Sequence, residues 1–259
     1  MEIKEIMEIM EISENTKKYL QTLAQKYETA CFSEGDPSCV LKKYSRSEEI
    51  EVMAFVMALF SFGQRPQFLK KVENIMQLAG ESPVQWLKDG HWKKDFPSGT
   101  AKYYRFYSYD DVRCVFQVLQ SILITGVSFG EYVKCRYFEL PENSRSLAAT
   151  ISEIFAGCSM VSHTKQSANK RLHMYFRWMV RRNSPVDAGL WTWFSPADLI
   201  IPLDIHVLQQ ARDLGLVPEK ATASAKTALQ ITSCLKQIWP DDPCKGDFAL
   251  FGLGVDSAH

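Results

Sequence analysis

Apolar residues recur at helical spacing along most of the chain, and glycines mark where the runs stop. "EEIEVMAFVMALFSFG" (Glu48 to Gly63) is apolar almost all round, the pattern of a buried helix. "QFLKKVENIMQLAG" (Gln67 to Gly80) ends on the same device, glycine just past the last periodic residue. "DDVRCVFQVLQSILITG" (Asp110 to Gly126) opens with two acids, which the positive end of a helix dipole favours. "SLAATISEIFAGC", "SANKRLHMYFRWMVRR", "LDIHVLQQARDLG" and "ATASAKTALQITSCLKQIW" continue the series. Strand-like alternation is sparse, and "DLIIPL" is too short to build a sheet. The expected fold is all-α.

Two stretches read as connections: Lys88 to Tyr109, rich in aromatics and lysine, and "NSPVDAGLWTWFSPADL". The opening Glu-Ile-Met repeat drifts around a helix instead of forming one stripe. Residues 1–34 are therefore expected to be a helical extension of a domain spanning 35–259.

At 259 residues with 46% apolar content the chain can bury a full core. Lysine plus arginine equals aspartate plus glutamate at 30 each, so a contact with nucleic acid must use a local patch. No apolar run approaches the roughly 20 residues needed to span a bilayer, and the start lacks the basic residues of a secretory signal. A cytoplasmic protein without a membrane partner is expected. The seven cysteines are scattered, with no CxxC pair, which fits reduced thiols and argues against a zinc knuckle or an iron–sulfur cluster. Phosphate loops, GxSxG elbows and HExxH pairs are absent from the sequence. His163, His173, His206 and Asp204 share no ligand spacing on one helix, so neither a metal nor a cofactor is expected.

One local asymmetry stands out. No acid lies between Glu153 and Asp187, an interval holding Lys165, Lys170, Arg171, Arg177, Arg181 and Arg182. On a helical wheel His173, Arg177 and Arg181 fall within about 60° of Lys170, while Leu172, Tyr175 and Met179 lie opposite. The expectation is a helix with one core face and one cationic face, either solvated or phosphate-binding. Lys170 sits near the helix start, where the dipole disfavours a cation. A neutral amine there is a nucleophile that can form a Schiff base with a sugar carbon. Downstream, the apolar run of "LIIPLDIHVLQQARDLGL" stops at Pro202, and Asp204 stands where a helix N-cap is expected. "RFYSYDD" and "WLKDGHWKKDF" interleave cations with rings, a pattern that can stack bases or simply pack over a core.

The pairing of "SANKRLHMYFRWMVRR" with "IIPLDIHV" resembles the helix-hairpin-helix DNA glycosylase superfamily. In that superfamily a lysine opens the second hairpin helix, and an aspartate follows in a proline–x–Asp–x–His context. Together with "GLW", "EIEVMAFVMALFSFGQR" and "DPCKGDFALFGLGV", these motifs look like a bacterial conserved-hypothetical family related to that superfamily. The interval between Lys170 and Asp204 is similar to that of the archaeal 8-oxoguanine DNA glycosylase branch. The resemblance implies an all-α, two-lobed fold with a cleft between the lobes. It also implies a monomer acting on double-stranded DNA that contains a damaged base, with Lys170 as nucleophile and Asp204 as its electrostatic partner. Gln64 corresponds to a glutamine that enters the space left by a flipped base, and His206 lies in the matched context as a DNA contact. The usual hairpin is a glycine-rich turn that offers bare amides to phosphate. Here "VSHTKQSANK" has no glycine to take positive φ at low cost, so Lys165, Ser167, Arg171 and Arg177 would replace it with side-chain contacts. Two function classes stay open: a glycosylase with lyase action on an oxidised purine, and a DNA-binding protein that keeps the fold without the chemistry.

Overall fold

The computed structural model describes residues 10–164 and 166–256; the Glu-Ile-Met repeat up to residue 9 lies outside them. The chain forms two compact units, one from Ser33–His163 and one combining residues up to Phe32 with those from Thr164 onward. The first helix, α1 (Glu14–Tyr27), belongs to the second of these.

In the Ser33–His163 unit the elements are α2 (Ser47–Phe60), α3 (Arg65–Ala79), α4 (Pro83–Lys88), α5 (Trp92–Asp95), strands β1 (Lys102–Tyr104) and β2 (Tyr107–Ser108), α6 (Tyr109–Leu123), α7 (Phe129–Glu139) and α8 (Leu147–Ile154). Every residue of α2 from Glu49 to Phe60 is buried, as its apolar circumference requires. Its two buried glutamates are not errors of patterning. Glu49 accepts the Val84 amide at 2.7 Å and Glu51 the Gly130 amide at 3.0 Å. Each carboxylate thus meets the positive end of a neighbouring helix, α4 or α7, and satisfies an otherwise orphaned N–H. Helix α6 starts with a capping box in which Ser108 and Asp111 bond reciprocally.

The all-α expectation holds for the bulk of the chain, with two corrections. Lys88 to Tyr109 is more than a connection: it carries α5 and an antiparallel hairpin in which Tyr104 faces Tyr107. Strands of three and two residues are too short to show alternation, and the signal was the ring cluster that buries Tyr103, Tyr104 and Tyr107. The cysteines are also not all free thiols. Cys114 on α6 and Cys158 after α8 form a disulfide across 44 positions, a pairing made by tertiary approach that linear spacing does not reveal. Among the described residues no helix is long and apolar enough to cross a membrane.

The other unit holds α1, α9 (Lys170–Val180), α10 (Ile205–Asp213), α11 (Ala225–Lys236) and α12 (Lys245–Asp256). Sequence patterning sets residues 1–34 apart, yet α1 packs along α12, and its Leu20, Leu23 and Ala24 share a core with Leu208, Ile231, Leu235 and Leu250. Close approach explains Gly246 and Gly252 in the last helix. A Cβ at Gly252 would lie 2.2 Å from the Tyr27 ring. Replacing a mid-helix glycine by alanine ordinarily stabilises by about 0.5–1 kcal/mol. Here overpacking, typically about 1–3 kcal/mol, outweighs that gain. Gly252→Ala is therefore expected to lower the denaturant midpoint, a result that equilibrium urea unfolding checks directly.

Candidate functional site

The site grows from two helix starts. Buried Ile201, Pro202 and Leu203 deliver the chain to Asp204 in extended conformation, and the following residues turn into α10. One carboxylate oxygen of Asp204 accepts the amides of His206 at 2.9 Å and Val207 at 2.8 Å, which makes it the helix cap. The other faces the Lys170 ammonium, with Nζ 2.8 Å from Oδ2. Capping and pairing are thus one arrangement, because the cap fixes the direction in which the free oxygen points. Burial alone would raise the Asp204 carboxyl. The charge and hydrogen bond of Lys170, with the Val207 amide, outweigh it and hold the group below the usual carboxylate range. Lys170 is the more open partner, its side chain 35% exposed against 17% for Asp204.

Lys170 opens α9 after a turn without glycine. Positive φ is nevertheless present: Asn169 adopts the left-handed conformation at φ 46°, and its amide donates to Ser167 Oγ at 3.2 Å. Asparagine is among the residues that enter this region most readily, which corrects the expectation that only glycine would supply it. The turn is pinned to the start of α11, where Ser167 bridges to Ser224 and the Ala225 amide donates to Gln166. The side-chain oxygen of Asn169 is enclosed without a hydrogen-bond partner among the described residues.

The cationic face is corrected more severely. Arg177 and Arg181 are only 4% and 2% exposed. Arg177 pairs with Asp187 at 3.2 Å and with Asp247, so it is committed inside the fold and is not a surface phosphate contact. Arg181 bonds Asp187 at 2.6 Å, Asp242 at 2.8 Å and Glu28 at 2.8 Å. The helical wheel placed these cations on one side correctly, but the acids that draw them inward come from α1, α12 and the loops. The only sequence hint was Asp187, the acid that ends the basic interval. Both guanidinium groups also lie over the Phe248 ring, at 4.5 and 5.1 Å.

The remaining expected residues are dispersed. Ser167 and Arg171 are half-buried near Lys170, His206 is exposed on the first turn of α10, and Lys165 lies outside the described residues. Gln64 belongs to the other unit, exposed as the N-cap residue of α3, with Oε1 accepting from Gln67 at 2.8 Å. Among the described residues no group of three or more His, Cys, Asp or Glu side chains is arranged to hold a metal ion.

A half-buried imidazole and a buried carboxylate act oppositely on acid stability. Burial pushes the His173 imidazole down to about 4. Burial, with the negative charge of Asp204, also pushes the Asp247 carboxyl up to about 6, against the pull of Arg177. For His173 the unfolded chain binds more protons between about pH 4 and 6.5, so its contribution is lost as pH falls through that window. For Asp247 the folded chain holds the extra proton between about pH 4 and 6, so its contribution is lost as pH rises through that window. Relative to the parent chain, His173→Gln is expected to make the melting temperature rise more on acidification from about pH 6 to 4, and Asp247→Asn to make it fall more. Thermal melts across that range read the two slopes.

No curated protein and no solved structure matches the chain. A family model described as "Protein of unknown function (DUF2400)" matches residues 36–256. That stretch contains both helix starts of the site, the interior arginines and their partners Asp187, Asp242 and Asp247. The chain therefore belongs to the DUF2400 family.

Proposed function

We propose that the chain is a DNA base-excision enzyme of the helix-hairpin-helix glycosylase type, with lyase action at the resulting abasic site, working in the cytoplasm as a monomer on duplex DNA. Its two-lobed glycosylase-like architecture is part of that reading. The observation that carries it is the 2.8 Å approach of Lys170 to Asp204, two groups 34 positions apart, on a partly open surface.

In this reading Lys170 transfers a proton to a neighbouring acceptor, and its free amine attacks the sugar carbon that bears the base. The base leaves with the electron pair of the glycosidic bond and takes up a proton. The ring-oxygen bond then breaks, the oxygen taking up a proton and leaving the protonated imine. Removal of a proton from the sugar carbon next to it expels the 3′-phosphate with its electron pair and cuts the strand. Asp204 stays ionised at neutral pH, since its carboxyl is held low. It is therefore suited to stabilising positive charge that develops on the sugar, and an anion fixed by two amides needs no reorganisation to do so. An oxidised purine such as 8-oxoguanine is the substrate the resemblance implies. Flipping it costs a few kcal/mol, least at a damaged base.

Borohydride trapping on duplexes carrying 8-oxoguanine or an abasic site tests the proposal. The parent chain is expected to give a covalent adduct and Lys170→Gln none. Asp204→Asn separates the two duties of the carboxylate. Asparagine caps about as well as aspartate, so the start of α10 should hold and the melting temperature should fall only by what the Lys170 pair contributes. Adduct formation should fall by about 100-fold, as when a fixed electrostatic group is removed. Salt-sensitive DNA binding with no adduct on any lesion would leave the non-catalytic DNA-binding reading in its place.

A further inference from the structure

The tip of the β1–β2 hairpin is built in a way that the unit's core does not require. The register brings Tyr104 opposite Tyr107, so the turn consists of Arg105 and Phe106. Arg105 is held at φ 50°, a conformation that favours glycine. Phe106 is 60% exposed, whereas the tyrosines on either side of the turn are buried. Its ring lies 5.1 Å from Phe62, tilted by 33°, and 4.5 Å from Tyr107. One edge of the ring is supported and much of the rest is offered to solvent.

The turn is also fixed in place. Lys102 Nζ donates to the Phe106 carbonyl at 2.7 Å, the Tyr104 hydroxyl to the Phe62 carbonyl at 2.5 Å, and the Tyr103 hydroxyl to the Lys71 carbonyl at 3.0 Å. Gly63 lets the hairpin settle on the loop after α2: a Cβ there would stand 2.8 Å from the Arg105 guanidinium and 2.9 Å from the Tyr104 hydroxyl. A single exposed ring is ordinary on a protein surface; what distinguishes this one is a fixed turn in the left-handed conformation with cations beside it.

Charge identifies the kind of contact. Residues 52–72 and 96–109, the two segments joined here, contain Arg65, Lys70, Lys71, Lys102 and Arg105 and no acid at all. Among the acids that bound these segments, Asp95 accepts the Trp86 indole N–H, Asp110 the Gly99 amide, and Asp111 lies in the capping box of α6, while Glu73 is exposed. Cations around an exposed ring match a chain of phosphates with bases between them, since every base has a face to stack and every linkage a charge to meet.

We propose that the Arg105–Phe106 turn is a nucleic-acid contact, in which an unstacked base lies against Phe106 while Arg105 and its neighbouring cations face the flanking phosphates. The contact goes beyond the lysine chemistry and does not depend on it, because it belongs to the other compact unit and needs no covalent step.

The test uses the full chain with oligothymidylate, oligouridylate and a duplex carrying one unpaired 2-aminopurine, read by anisotropy and by quenching of the 2-aminopurine. The parent chain is expected to bind and quench. Phe106→Ala should weaken binding by about 10-fold and abolish quenching, while Phe106→Tyr retains both. Arg105→Gln should reduce the slope of log affinity against log salt by about one. The site is exposed, so unchanged melting temperatures separate a lost contact from a lost fold. DNA and RNA arms that respond alike support a base-and-phosphate contact, and a response confined to one of them supports it and names the source. Unchanged binding and quenching in Phe106→Ala overturn the proposal, as does binding to anionic phospholipid vesicles without binding to any oligonucleotide. A borohydride adduct without quenching overturns this contact and spares the reading of Lys170, and quenching without an adduct does the reverse.

Discussion

Two guanidinium groups sit inside a core where almost any unpaired charge would be excluded, and the surrounding unit is arranged to keep them neutralised. Removing one partner from such a pair typically costs about 3–5 kcal/mol, because the remaining charge stays buried. Arg181 draws acids from the end of α1, from the loop after α9 and from the approach to α12. Arg177 binds α12 itself through Asp247. The C-terminal half of α9 is thereby fixed from several directions, and both cations also lie near the negative end of that helix, where the dipole favours them. What is fixed at one end of α9 is fixed at the other: Lys170, its first residue, has its backbone placed by the same anchorage.

Four carboxylates carry a second constraint, that helix starts need acceptors. Glu49, Glu51, Asp111 and Asp204 each accept one or more amides at the beginning of a helix. Glu49 also pairs with Arg46 at 4.0 Å, and Asp111 also accepts the Ser108 and Ser159 hydroxyls. Asp204 also pairs with Lys170, a basic side chain from a distant segment, through the oxygen its cap leaves over. What each carboxylate does in the fold rests on which groups stand opposite, not on residue type.

Much of this was legible in the chain. The stop of α3 at Gly80 follows from glycine, and Asp204 as a cap follows from Pro202 and the periodicity after it, whereas α2 already ends at Phe60, before Gly63. Lys170 at the head of α9 was equally readable. The arginine face was not, because a helical wheel reports direction and carries no record of Glu28, Asp242 or Asp247 arriving from elsewhere. The hairpin was hidden by its brevity, and the Asn169 turn by the habit of looking for glycine. The arginine face and the Cys114–Cys158 link share one origin: the deciding partner lies far away in the sequence.

The link between Cys114 and Cys158 has a practical corollary. The two sulfurs bracket α7, α8 and the exposed stretch from Pro141 to Ser144, the natural place for a protease to cut. A break there leaves both fragments covalently tied, so a nicked molecule migrates as if whole until a reductant is added.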